Sequence, residues 1–267
     1  MTEGEFAGKV AVITGGASGI GRATVELIAS RGGTVAILDA DPSTTEFARI
    51  VQERTGSRTA GIVLDITDDS ARTEAVDRIR SLFGAVDHVV NSAASFIAAG
   101  RRASRAQWMR ALDVNLISQA LLTAALAEHM PKGSSVVNVA SISAHVAQPE
   151  RWTYNATKAA IVSLTRGQAM DFAGNAVRVN AVSPGWIWTP EVARAAAGDK
   201  ADELKRVWSR YHLLGRLGEA SEVAEAITFL CSDRASFITG VDLPVDGGYL
   251  TMGPEGPGSG SVFAGSE

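Results

Sequence analysis

The sequence predicts an α/β protein built on one doubly wound parallel sheet with helices on both faces, and three observations carry that expectation. Short β-branched runs alternate with helical patterns from Lys9 to Asp246, and such alternation implies parallel strands joined by right-handed crossovers. The first run leads directly into a glycine-rich turn and then a helical pattern. Polar residues stand at the carboxyl ends of successive runs: Asp39, Asp65, Asn91, Ser141 and Ser183. Ligands of open α/β sheets bind at those ends, so the convergence of polar groups there marks one site.

The elements follow in order. Lys9 to Thr14 is a β-branched run suited to a strand buried on both faces. Gly15-Gly-Ala-Ser-Gly-Ile-Gly21 follows, and Ile20, Ala23, Leu27 and Ile28 then recur at helical spacing. Strand, glycine turn and helix N-terminus together make an anion cradle, because free N–H groups and the positive helix end face the ligand. No Lys-Ser/Thr follows the last glycine, so this is not a Walker loop. The second strand, Thr34 to Asp39, ends in an acid 18 residues after Gly21. A carboxylate there accepts hydrogen bonds from a ribose and repels a 2′-phosphate, favouring NAD over NADP. Ser18, a non-basic residue in the turn, points the same way.

The pattern repeats through a helix at 43–55, a strand at 60–65, a helix at 69–83 and a strand at 87–91. A long helix is expected over 106–130, then a strand at 135–139, a helix at 151–173 and a strand at 177–182. Ser183 to Pro190 reads as a loop, and 190–212 as a small amphipathic helical flap over the site. Ser221 opens another helix with Glu222 in its first turn. Val241 to Gly248 reads as a last strand, where Pro244 suggests an edge or a bulge. The expectation is one nucleotide-binding domain over 1–252 and a Gly/Pro/Ser-rich tail over 253–267.

Composition excludes several classes. With 46% hydrophobic residues the chain can bury a sizeable core, and a net charge of −4 with interspersed signs argues against a nucleic-acid surface. No apolar run approaches the ~18 residues of a membrane helix, and the acidic N-terminus lacks the order of a signal peptide, so a cytoplasmic location is expected. The single cysteine, Cys231, sits in an apolar run and reads as helix core. Histidines 88, 129, 145 and 212 show no ligand spacing, so no metal is expected.

The chemistry centres on Tyr154 and Lys158. Four residues apart on a helix, phenol and ammonium share one face. A cation there favours tyrosinate and is expected to lower the phenol pKa, giving a proton carrier near neutral pH. Ser141, at the end of the fifth strand, could hydrogen-bond the same substrate oxygen. No Gly-x-Ser-x-Gly elbow surrounds it, which argues against a hydrolase.

Taken together, Thr14-Gly-Gly-Ala-Ser-Gly-Ile-Gly21, Asp65, Asn91, Asn115, Ser141, Tyr154-Asn-Ala-Thr-Lys158 and Pro184-Gly185 through Thr189 resemble the short-chain dehydrogenase/reductase family over nearly the whole chain. The resemblance implies a Rossmann fold and NAD(P)-dependent interconversion of an alcohol and its carbonyl. It gives Tyr154 the role of general acid/base, with Ser141 orienting the substrate oxygen. Lys158 would tune Tyr154 and hold the nicotinamide ribose, while Asn115 would anchor a proton-relaying water. Cofactor contacts are implied for Gly15, Ser18, Gly19, Ile20 and Gly21 at the turn, and for Asp39, Asp65 and Ile66 beyond it. Asn91, Ala93, Pro184 and Gly185 complete that set, with Ile187 and Thr189 on the carboxamide. The fourth strand departs from the family pattern: Asn91-Ser92-Ala93-Ala94 stands where Asn-Asn-Ala-Gly is usual, which predicts a slight shift in the pocket.

Candidate substrate residues are Phe96, Ser143, His145, Arg151 and Trp186, with Trp152 and Trp188 nearby. Tryptophan faces suit sugar rings, and Arg151 suits hydroxyls, a carboxylate or a sulfonate. The overall pattern is similar to the sugar and polyol dehydrogenases of the family. Two other readings stay open: an NADPH-dependent ketone or 3-oxoacyl reductase, against which Asp39 argues, and a non-catalytic dinucleotide sensor, against which the intact Asn115, Ser141, Tyr154 and Lys158 argue. The resemblance also implies a homotetramer, consistent with the small, apolar stretch Leu116 to Leu126.

Overall fold

The computed structural model describes residues 4–196, 201–253 and 256. Strands and helices alternate as expected: β1 (Val10–Thr14), α1 (Gly19–Ser30), β2 (Thr34–Asp39), α2 (Thr44–Thr55), β3 (Thr59–Val63), α3 (Asp69–Phe83) and β4 (His88–Asn91). There follow α4 (Arg105–Leu112), α5 (Ser118–Ala127), β5 (Ser135–Val139), α6 (Trp152–Phe172) and β6 (Arg178–Pro184). The chain continues through β7 (Ile187–Trp188), α7 (Pro190–Ala195), α8 (Ala201–Ser209), β8 (Gly218–Glu219), α9 (Ala220–Cys231) and β9 (Asp242–Val245).

Seven strands form one parallel sheet in the order β3-β2-β1-β4-β5-β6-β9. The order runs outward in both directions from the β1/β4 pair, and such a reversal opens a crevice at the carboxyl ends of those strands. The strands are continuous apolar runs because both faces are covered, and successive side chains point to opposite faces. Ile13 and Ile37 pack with Val25 and Ile28 of α1, Phe47 of α2 and Ile227 of α9. Val12 and Leu38 pack on the other face with Ile79 of α3 and Leu122 of α5. Each such buried side chain contributes about 1.5–3 kcal/mol. Cys231 is buried, as its apolar run implies.

Four expectations are corrected or refined. The long helix over 106–130 is broken into α4 and α5 by a π-helical turn at Asp113–Ile117. Asn115 lies in that turn, and its amide binds the backbone of Ser95 and the Thr157 hydroxyl, tertiary bonds that residue periodicity does not report. The loop at 183–190 contains β7, which pairs in parallel with β8. The last helix begins at Ala220 rather than Ser221, because Glu219 is its cap and the Glu222 carboxylate accepts from the Glu219 N–H at 2.8 Å. The flap divides into α7 and α8, with 197–200 outside the described residues; Thr189 caps α7 by accepting from the Val192 N–H. Pro244 lies in β9, the edge strand, where a missing donor costs no ladder bond. The expected tail lies outside the described residues except at 253 and 256. Among the described residues no helix is long and apolar enough to cross a membrane.

Candidate active site

The carboxyl ends of the strands open onto a cavity of about 500 Å³. Its β1 side is backbone. Gly15 turns at φ +64°, and a Cβ there would lie 2.8 Å from the backbone of Ala93 on the loop after β4. A Cβ on Gly21 would sit 2.1 Å from the Gly15 carbonyl, so this residue packs helix against turn and does not line the cavity. Gly15, Ser18, Gly19 and Ile20 do line it. The Ser18 side chain makes no cap, and the first turn of α1 carries no acid. The helix N-terminus thus keeps free N–H groups beside the cavity, which suits an anion.

Asp39 ends β2 at the cavity wall and braces the turn: Oδ2 accepts from the Ala17 N–H at 2.9 Å and Oδ1 from the Asp41 N–H at 3.1 Å. Asp65 and Ile66 line the cavity after β3. Burial pushes the Asp65 carboxyl up, but hydrogen bonds from Thr67 and Arg110 outweigh it and hold it below its ordinary value. Asn91 is placed differently from expectation. Its amide is buried, donating to Thr123 and Asn138 at 2.8 Å, and it does not line the cavity. The tie to the neighbouring strand is therefore made by Asn91 and Asn138, with Ser92 taking no part in that pair. Ser92, Ala93 and Ala94 line the wall, and the Thr14 hydroxyl accepts from the N–H groups of Ser92 and Ala93.

The central group stands at the start of α6. Tyr154 and Lys158 line the cavity one helical turn apart. Ser141 reaches the same wall from the end of β5, and its hydroxyl pulls the Tyr154 phenol pKa down. Ser141 is itself held by the Ser143 N–H, which donates to its Oγ at 3.1 Å. Lys158 is 2% exposed and donates to the Val139 carbonyl at 2.6 Å.

The expected lowering of the Tyr154 pKa by Lys158 is not found in the protein alone. Burial raises the phenol, against smaller downward pulls from Ser141 and Arg151 and a further upward push from Glu191. Burial also brings Lys158 down to about 7. A cation that is itself only partly protonated near neutral pH stabilises tyrosinate weakly. Asn115 is buried and off the cavity wall, behind Ser95 and Thr157.

The remaining wall is aromatic. Phe96 meets Tyr154 edge-on, with ring centroids 5.0 Å apart. Trp186 stacks on Trp208 at 4.5 Å and 19°. Arg151 lies between them, its guanidinium carbon 4.8 Å from the Phe96 ring and 4.7 Å from the Trp186 ring. Phe96, Ser143, Arg151 and Trp186 all line the cavity, with Pro184, Gly185, Ile187 and Thr189 beside them. His145 does not. After the tight turn Ile142–Ala144 its Nε2 lies 2.6 Å from Asp242 of β9, which also accepts from the Ser183 hydroxyl. Trp152 is 56% exposed, and Trp188 is covered by Lys205 at 3.8 Å; neither lines the cavity. Sequence reasoning missed Gln148, Glu191 and Trp208. Gln148 and Glu191 line the cavity and Trp208 backs it, and none carries a motif.

Comparison with known proteins gives a consistent picture. A family profile described as enoyl-(acyl carrier protein) reductase matches residues 15–250. The chain is 40% identical over 251 residues to cis-4-hydroxycyclohexanecarboxylate dehydrogenase of Sinomonas cyclohexanicum, covering 92% of this chain and 98% of the relative. It is 35% identical to the NAD-dependent glycerol dehydrogenase of Listeria innocua, over 90% of this chain and 93% of that one. Among solved structures, L-sorbose reductase of Gluconobacter frateurii with NADPH and L-sorbose superposes with a TM-score of 0.88 at 29% identity, covering 94% of this chain and all of that one.

Proposed function

We propose a reaction for this chain on one premise: it belongs to the short-chain dehydrogenase/reductase family, whose members act on CH–OH groups with a nicotinamide dinucleotide. The proposed reaction is the NAD-dependent interconversion of a secondary alcohol and its carbonyl, a sugar or polyol hydroxyl being favoured. One observation carries it: Tyr154, Ser141 and Lys158 line the same cavity as the uncapped N-terminus of α1 and Asp39.

These residues fit a dinucleotide. Gly15 lets two backbones approach where any Cβ would collide, and the α1 N–H groups suit a pyrophosphate. Asp39 would accept from the adenosine ribose, and its charge would oppose a 2′-phosphate. Ile187 and Thr189 would hold the carboxamide, and Lys158 the nicotinamide ribose. When bound, the dinucleotide accepts or returns the hydride.

Tyr154 handles the proton. The half-buried phenol, held up in pKa, is ready to donate to a carbonyl oxygen during reduction. In oxidation it must take the alcohol proton as a phenolate, which a protonated Lys158 favours. Ser141 positions the reacting oxygen through its own hydroxyl. We propose further that the enzyme is a cytoplasmic homotetramer; Ile117 and Leu121 near α5 and Met170 on α6 expose apolar surface for subunit contact. A monomer by light scattering would refute the assembly.

The reaction is tested by absorbance at 340 nm with NAD and, separately, NADP. The panel comprises aldoses, acidic sugars, glycerol and other polyols, sorbose, 4-hydroxycyclohexanecarboxylate and simple secondary alcohols. Turnover with NAD and a secondary alcohol is expected. Turnover confined to NADP would overturn the cofactor assignment, and silence across the panel would overturn the reaction.

A further inference from the structure

Among the described residues Arg151 has no carboxylate partner within ion-pair distance, whereas Arg31, Arg49, Arg110 and Arg216 all find acids. The residue directly precedes α6, three positions before Tyr154. Among the described residues the guanidinium's one hydrogen bond goes to a neutral acceptor: Nη1 donates to Gln148 Oε1 at 3.0 Å. That oxygen also accepts from the Ser143 hydroxyl at 2.5 Å, so Gln148 is committed and fixes the guanidinium in place. The guanidinium carbon lies over two rings, 4.8 Å from Phe96 and 4.7 Å from Trp186.

Such a clamp determines what the group can bind. The two rings and Gln148 hold the guanidinium in place, and Arg151 lines the cavity. A guanidinium has five N–H donors in one plane, and its fork matches the two oxygens of a carboxylate. Burial holds the Arg151 pKa below the ordinary arginine value, and an anion bound beside it would offset that cost. Glu191, an acid on the cavity wall, pairs with Arg194 at 3.3 Å.

We infer that Arg151 is the receptor for a carboxylate on the substrate, so that the alcohol taken by this site is a compact hydroxy acid. The inference rests on the reading of Tyr154 as the general acid/base, because the substrate must reach Tyr154 and Arg151 together. The single Phe96 ring lies against both Tyr154 and Arg151, so a compact substrate can reach both. Arg151 is thus a specificity-determining residue, with Gln148 as its positioning partner.

The test compares the hydroxy acid of the panel above with its primary amide, in the full chain and in Arg151→Met and Arg151→Lys. In the unmodified chain kcat/KM is expected to favour the carboxylate by about 100-fold, the factor conferred by charge-assisted hydrogen bonds. The preference is expected to fall to within about threefold in Arg151→Met. Arg151→Lys, with charge but no planar fork, should keep about tenfold. Retained NAD binding by calorimetry shows that the variants are folded. Equal use of acid and amide, or a preference that survives in Arg151→Met, overturns the inference and leaves the Tyr154 chemistry standing. If neither compound is turned over, calorimetric titration with cyclohexanecarboxylate and cyclohexanecarboxamide decides the receptor, and the rest of the panel decides the reaction. Tighter binding of the acid by about 100-fold, lost in Arg151→Met, supports it, and equal binding overturns it.

Discussion

The two sides of the cavity are built by different means. The side at β1 and β2 is made of backbone: a turn at Gly15 pressed against Ala93, an uncapped helix start and one carboxylate that braces the turn through Ala17. The opposite side is made of side chains from four separate segments, with Phe96, Arg151, Trp186 and Trp208 stacked in sequence. Backbone geometry admits few residue types, so that side is specified by a short motif and tolerates little change. A stack of side chains can be re-formed by other residues of similar shape, which makes it the side where specificity is set.

Substitutions on each side sharpen this contrast. Of the changes within the two sides, the largest effect on cofactor choice is expected from Asp39→Ala. Removing the charge that opposes a 2′-phosphate should raise the NADP:NAD ratio of kcat/KM by about 100-fold. NAD use itself should weaken, since the Ala17 N–H loses its acceptor. An unchanged ratio in steady-state kinetics would contradict the role given to Asp39.

Lys158 belongs to neither side and illustrates the cost of a functional cation. Its folded pKa of about 7 lies below the ordinary 10.5, so the folded chain disfavours the charge. That penalty is complete below pH 7 and fades as pH rises from 7 towards 10.5. Lys158→Met should therefore stabilise the ligand-free chain by about 2 kcal/mol at pH 6. The gain should shrink by pH 9, as measured by denaturant unfolding, while turnover is lost. A variant less stable than the parent at pH 6 would show that the bond to Val139 outweighs burial.

The smallest effect is expected on the aromatic side. Trp208→Ala removes the ring behind Trp186 without touching the turn. It should raise the substrate KM by about fivefold, as the loss of one aromatic pair implies, with NADH affinity by fluorescence unchanged. A matching loss of NADH affinity would show that the two sides are not independent.

The same contrast explains what could be read from the sequence. The sheet was legible because buried strands are continuous β-branched runs between helical patterns, and the turn was legible because only glycine fits at Gly15 and Gly21. The break at Asn115 was not, since its cause is a set of bonds to Ser95 and Thr157, 20 and 42 residues away. Proximity in sequence placed Arg151 and Trp186 correctly at the cavity but misplaced His145, which a distant carboxylate on β9 holds. Trp208 gave no signal at all, because its importance arises only when α8 brings it against Trp186. The Tyr154–Lys158 spacing located the pair, yet its electrostatics depend on burial, which reverses the expected direction of the phenol shift in the protein alone.

Tyr154 stands where the two sides meet, and its hydroxyl is the atom on which the proposed chemistry turns. The most direct test is Tyr154→Phe, with NADH formation followed at 340 nm and NADH binding followed by fluorescence. Loss of a general acid/base is expected to lower kcat/KM by about 1000-fold while NADH affinity stays within about threefold. Unchanged turnover in a variant that still binds NADH would contradict the assignment of Tyr154 as general acid/base and with it the proposed mechanism.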